Sequence, residues 1–175
     1  MTNDMTTGNP LKLIISFMIP VCLGNIFQQF YNIADSIIAG QFLGVDALAA
    51  IGSTGSLIFF VTGWLNGLSS GFAVYVSQFF GAKDLKQMRH YIAMSIYLCV
   101  FFTVIMTVGF LIANEPILRL MNAPEELLGD IKLYMAIIYA GLFATCAYNA
   151  LAAVLRALGD SKSPLYFLII SAVIN

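Results

Sequence analysis

Four stretches of this chain carry no charge and are each long enough to cross a bilayer: Leu13–Ala34, Ala47–Ala82, Tyr91–Ala113 and Leu133–Leu155, of 22, 36, 23 and 23 residues. A helix needs about 20 consecutive apolar residues to span the hydrocarbon core. Composition agrees: hydrophobic residues make up 60% of the chain, charged residues 10%, and the mean hydropathy is +0.89. A soluble domain carries about 25% charged residues, because its surface must face water. The expectation is an all-α integral membrane protein, a multi-helix bundle. A fifth apolar run starts at Ser163 and reaches Asn175 after 13 residues, read as a fifth helix cut short. The expected helices are about 11–39, 48–80, 90–113, 125–155 and 164–175, and the functional unit is expected to be longer than the chain.

Other classes are disfavoured. The net charge is −1 and the eight Lys and Arg are spread along the chain, so nucleic acid is not an expected partner. Cys22, Cys99 and Cys146 are scattered among the apolar runs, which suggests neither a disulfide framework nor a metal centre. No A-x-A-like cleavage site follows the first run, so it is expected to remain as a helix. Charges between the runs set an orientation. Lys12, Lys83, Lys86, Arg89, Arg156 and Lys162 lie on one side, against Arg119 and Lys132 on the other. By the positive-inside rule the N-terminus is cytoplasmic.

The links are short. "GAKD" (81–84) ends helix two on a glycine, and "LGDSKSP" (158–164) separates helices four and five. Ser161 or Ser163 is expected to cap helix five, with Pro164 in its first turn. Pro124, Glu125 and Glu126 are expected to open helix four, placing acids near a positive helix end.

In helix two, Gly63, Gly67 and Gly71 recur every fourth residue, a spacing that lets another membrane helix approach closely. Asn66 among them needs a partner or a wet cavity. The same stretch, Gly67-Leu68-Ser69-Ser70-Gly71, fits G-x-S-x-G. A nucleophile elbow requires a strand–turn–helix and a histidine base. Here the motif falls inside a helix and the single histidine, His90, lies at a helix end, so an intramembrane enzyme is disfavoured.

Helix one is the informative element. Pro20 removes a backbone donor and clashes with the carbonyl of Ser16, providing a place to bend. Tyr31, Gln28 and Gly24 precede Asp35 by four, seven and eleven residues, within about 40° of it on the helix, and Asn32 lies beside them. An aspartate at mid-membrane costs roughly 2.5–3.5 kcal/mol on insertion scales, and such residues face a bundle interior or a wet cavity. The plainer reading is an acid held in helix–helix hydrogen bonds. The functional reading is a site that binds and releases a proton or a metal cation: desolvation favours the neutral acid and a bound cation favours the carboxylate.

Three stretches, "ADSIIAGQFLGVDALAAIG" (34–52), "SQFFGAKD" (77–84) and "LRALGDSKSP" (155–164), resemble the multidrug and toxic compound extrusion (MATE) family and occur in its order. The resemblance implies a twelve-helix transporter of two six-helix lobes around a central cavity, with residues 1–175 forming most of the first lobe. It also implies that Asp35 is the lobe's acidic site residue, that Tyr31 and Asn175 contribute oxygens to it, and that Pro20 is the helix-one proline implicated in bending. Gln28, Asn32 and Asn66 are expected to line the cavity. The implied function is a monomeric, multi-pass antiporter of the bacterial inner membrane, exchanging H⁺ or Na⁺ (the latter a possible metal at Asp35) for drugs, chiefly organic cations. Its partners would be membrane lipid, those substrates and the rest of its own chain, with no further cofactor. Flippases of lipid-linked sugars share the architecture and form the alternative. Their cavities tend to be basic, and no Arg or Lys interrupts helices one to three.

Overall fold

The computed structural model describes residues 8–42, 45–123 and 125–174, and among these every regular element is helical. The chain runs α1 (Pro10–Phe42), α2 (Val45–Gly81), α3 (Leu85–Leu120), a 3₁₀ turn (Glu125–Leu127), α4 (Leu128–Ala157) and α5 (Lys162–Ile174). Four of these contain segments long and apolar enough to cross a membrane: Pro10–Ile38, Ile51–Gly81, Leu85–Leu120 and Glu125–Ala157.

α2, α3 and α4 pack against one another around a core that includes Leu65, Cys99, Leu118, Ile131, Met135 and Tyr139. Phe110 stacks on Tyr139 with ring centroids 5.3 Å apart. Two of the buried hydroxyls here find an acceptor on their own helix. Thr103 donates to the carbonyl of Cys99 at 2.7 Å and Ser95 to that of Tyr91 at 2.6 Å. α1 lies outside this trio, paired mainly with α5.

Three of the links are closed by a residue in the left-handed region: Lys83 (φ 59°), Asn122 (φ 55°) and Gly159 (φ 80°). The next residue's N–H then returns to a carbonyl five residues back, Asp84 to Phe79 at 3.0 Å, Ala123 to Leu118 at 3.1 Å and Asp160 to Leu155 at 2.9 Å. These bonds satisfy helix-end carbonyls that would otherwise lack partners.

Several expectations are corrected. α3 begins at Leu85 rather than 90, because the Asp84 carboxylate accepts the Gln87 N–H at 3.0 Å, and it continues past 113, through Pro116, to Leu120. Glu125 and Glu126 form a 3₁₀ turn ahead of α4 instead of its first turn, and Pro124 lies outside the described residues. The start of α5 is held by Asp160, not by Ser161 or Ser163. Its carboxylate accepts the N–H groups of Lys162 (3.1 Å) and Ser163 (3.0 Å) and the Ser163 hydroxyl (2.7 Å). Cys99 and Cys146, far apart in sequence, meet across α3 and α4, with the Cys146 thiol 3.8 Å from the Cys99 carbonyl.

The glycine face of α2 meets no other helix among the described residues. Gly63, Gly67 and Gly71 are exposed, and a Cβ added at any of them would meet nothing within 4 Å. α2 turns its opposite face, with Val61 and Leu65, to the core. Close approaches occur elsewhere: a Cβ at Gly24 of α1 would sit 3.8 Å from Leu165 of α5, and one at Gly40 would sit 3.6 Å from Leu48 of α2.

Candidate functional site

The polar arc of α1 is wider than the stripe centred on Asp35. Asn25, Ser36 and Gln29 lie roughly 80°, 100° and 120° from Asp35 at about 100° per residue, so they continue the arc beyond Asn32. Asn32 and Gln29 are joined through their amides at 3.4 Å, and the Ser36 hydroxyl donates to the Asn32 carbonyl at 2.9 Å. These groups line a groove of about 530 Å³ between α1 and the start of α2, together with Gln41, Gly40 and Leu48.

One turn along the arc the surroundings change. Gln28 and Asn25 line a smaller cavity, about 80 Å³, bounded by α1, α2, α4 and α5. Asn66 of α2, Tyr148, Asn149 and Arg156 of α4, and Ser161 also line it, and buried Pro20 closes its α1 wall. Asn66 donates to the Thr62 carbonyl at 3.1 Å, and the Tyr148 hydroxyl to the Pro164 carbonyl at 3.4 Å. The Nε of Arg156 donates to the Ala152 carbonyl at 3.1 Å, and the guanidinium forms no ion pair among the described residues.

Gln28 and Asn66 are thus brought together, with Pro20 beside them, while Asn32 lines the separate groove. Tyr31 is half-buried on α1. Asp35 occupies its helical position one turn beyond Tyr31, but its side chain, and the whole of Asn175, lie outside what the structure describes. The residues that sequence reasoning missed are Asn25, Tyr148, Asn149 and Arg156. Asn149 carried a usable signal, being a primary amide within a 23-residue charge-free run. Arg156 marked the end of that run, and nothing in its spacing indicated that it lines a cavity.

The electrostatics near the cavity are set by two groups of opposite fate. Burial alone would raise the Asp160 carboxyl; the hydrogen bonds it accepts, those from Ser163 and Lys162 among them, outweigh this and hold it below the ordinary carboxylate range. That carboxylate is committed to starting α5. The guanidinium of Arg156 is not committed in the same way. Ser69 of the G-x-S-x-G stretch is buried inside α2, so that stretch is continuous helix and not a strand–turn–helix.

The MatE family model matches residues 20–175. A probable multidrug resistance protein of Bacillus subtilis, YpnP, is 33% identical over 172 residues, which is 98% of this chain and 39% of YpnP. A probable multidrug resistance protein NorM of Oceanobacillus iheyensis is 25% identical over 175 residues, all of this chain and 39% of that protein. An outward-facing structure of a multidrug resistance MATE transporter of the MOP superfamily superposes with a TM-score of 0.88 at 26% identity, covering 95% of this chain and 37% of the other. The chain spans about two-fifths of the length of the curated relatives it matches. Its apolar helices, their order and these likenesses lead to one assignment: the chain belongs to the MatE family of multi-pass membrane transporters.

Proposed function

We propose that this chain is most of the first lobe of a cation-coupled multidrug exporter. The observation that carries the reading is the polar arc of α1, from Tyr31 to Gln29 on a helix otherwise apolar enough to span the membrane. Such an arc is stable only against other protein or water. Asp35 lies within it, about 40° from its Tyr31 edge. On this reading H⁺ or Na⁺ binds there, with oxygens from Tyr31 and Asn175, and reshapes α1 about Pro20. The drug leaves because its affinity differs between the inward-open and outward-open states. The relatives described as multidrug resistance proteins support efflux as the activity. The unequal distribution of basic residues supports a cytoplasmic N-terminus in a bacterial inner membrane.

The test is Asp35→Asn in the full-length transporter, read as efflux of a fluorescent organic cation from inverted vesicles and normalised to protein amount. Gradient-driven efflux should fall to background while expression stays near wild type, because an amide is less costly in the membrane than an acid. Asp35→Glu should retain part of the activity. Near-normal efflux by the Asn variant would remove the coupling role. The alternative, a flippase of lipid-linked sugars, is favoured by one observation, the guanidinium of Arg156 at the inner cavity.

A further inference from the structure

The small cavity between α1, α2, α4 and α5 is lined mainly by polar groups. Its volume of about 80 Å³ is room for two or three water molecules, at about 30 Å³ each, or for one compact polyatomic group. The amide side chains of Asn25, Gln28 and Asn149 reach it from two helices, and Arg156 supplies its only charge among the described lining residues. Arg156 spends Nε on its own helix, which leaves the two terminal nitrogens of the fork. The carboxylate of Asp160, four residues along the chain, is held by Lys162 and Ser163. A half-buried guanidinium with no ion-pair partner among the described residues is costly, and planar fork donors are best satisfied by oxyanions.

Arg156 also lines a second space, an open groove of about 330 Å³ between α2 and α4 that carries Ser70 and Ser77. The guanidinium therefore stands where the inner cavity meets the surface, in the last turn of a spanning helix. We propose that Arg156, with the amides of Asn25, Gln28 and Asn149, forms an oxyanion subsite that receives a phosphate group through the α2–α4 groove. A phosphate suits it better than a carboxylate because the donors converge from more than one helix. A tetrahedral group presents acceptors in all those directions, whereas a planar carboxylate presents them in one plane. The phosphate can come from an anionic lipid headgroup or from a soluble phosphate ester. The proposal is independent of the role given to Asp35, since it concerns binding without a gradient.

The test uses the full-length transporter in nanodiscs of neutral lipid, following the unfolding temperature against sodium phosphate, with sodium chloride at matched ionic strength as the reference. Wild type should show a saturable rise specific to phosphate. Arg156→Gln should weaken the apparent affinity by roughly tenfold or more, the loss expected for charge-assisted hydrogen bonds. Arg156→Lys should weaken it less, a point charge replacing a fork. Lys86→Gln, which removes a basic residue away from the cavity, should leave the response unchanged. A second set of nanodiscs containing phosphatidylglycerol separates the sources. If the lipid itself raises the unfolding temperature and suppresses the response to free phosphate, the headgroup is the ligand; if free phosphate still acts, the site takes soluble esters. The proposal is overturned if neither probe stabilises wild type, or if Arg156→Gln responds as wild type does. Should the Gln variant fail to fold, an unaltered response in Arg156→Lys overturns it equally.

Discussion

The α2–α3–α4 trio and the α1–α5 pair are built from similar residues yet bury them differently. In the trio, Leu65, Ile131, Met135 and Tyr139 are fully buried. In α1 and α5, the single buried residue among those described is a proline in each case, Pro20 and Pro164. All five helices are strongly apolar, so hydrophobicity does not separate them. Lipid is as apolar as leucine, and helices associate in it through packing and interhelical polar contacts instead. The trio has fitted surfaces, with Ser95 and Thr103 bonded to carbonyls of their own helix and Thr107 to one of α4. The pair carries a polar arc, and the two cavities described above lie along it. One region is therefore a packed scaffold, and the other presents polar groups along its length.

The largest expected difference follows from that division. Leu65→Ala should destabilise the transporter by about 2–4 kcal/mol, since a cavity opens among side chains that cannot collapse. Ile26→Ala on α1, where the side chain is 51% exposed, should cost less than about 0.5 kcal/mol. Reversible unfolding in mixed micelles measures both, and equal costs would dissolve the comparison.

The joint between the two regions comes next. Asp160→Ala removes the acceptor for two N–H groups and a hydroxyl at the start of α5, and should cost about 1–2 kcal/mol. The carboxyl's folded pKa lies below its unfolded value of about 3.9. Its contribution is therefore complete above that value and is lost as pH falls further. Hydrogen exchange in α5 should accelerate below about pH 4 in wild type, and Asp160→Asn should flatten that dependence. An identical acid profile in the Asn variant would assign the loss to other groups.

Glycines sharpen the contrast at smaller scale. Gly24→Leu should separate α1 from α5, because even a Cβ there lies 3.8 Å from Leu165, and the effect should be visible as lost cross-linking between cysteines placed on the two helices. Gly63→Ala meets open space among the described residues and should be neutral or stabilising by up to about 1 kcal/mol through helix propensity. A clear destabilisation of the full-length protein would reveal a contact from outside this chain. The smallest effect belongs to Glu115, which pairs with Lys132 at 2.7 Å and Arg119 at 3.1 Å at the exposed ends of α3 and α4. Glu115→Gln should leave the unfolding midpoint nearly unchanged, and more nearly so in high salt, because the pair is exposed and screened.

Sequence alone determined the helical class and the spanning segments, because the bilayer dictates both the length and the composition of anything that crosses it. It also located Pro20 and the arc around Asp35, since helical periodicity is a local property of consecutive residues. It could not say which glycines meet another helix: Gly63, Gly67 and Gly71 have the right spacing, yet Gly24 and Gly40 make the approaches. Nor could it bring Cys99 to Cys146, or Arg156 into one cavity with Gln28 and Asn66. Those juxtapositions depend on the rotation of each helix about its axis and on which neighbour it meets. In a chain where nearly every face is apolar, only shape complementarity between whole helices decides them, and that exists only in the tertiary structure.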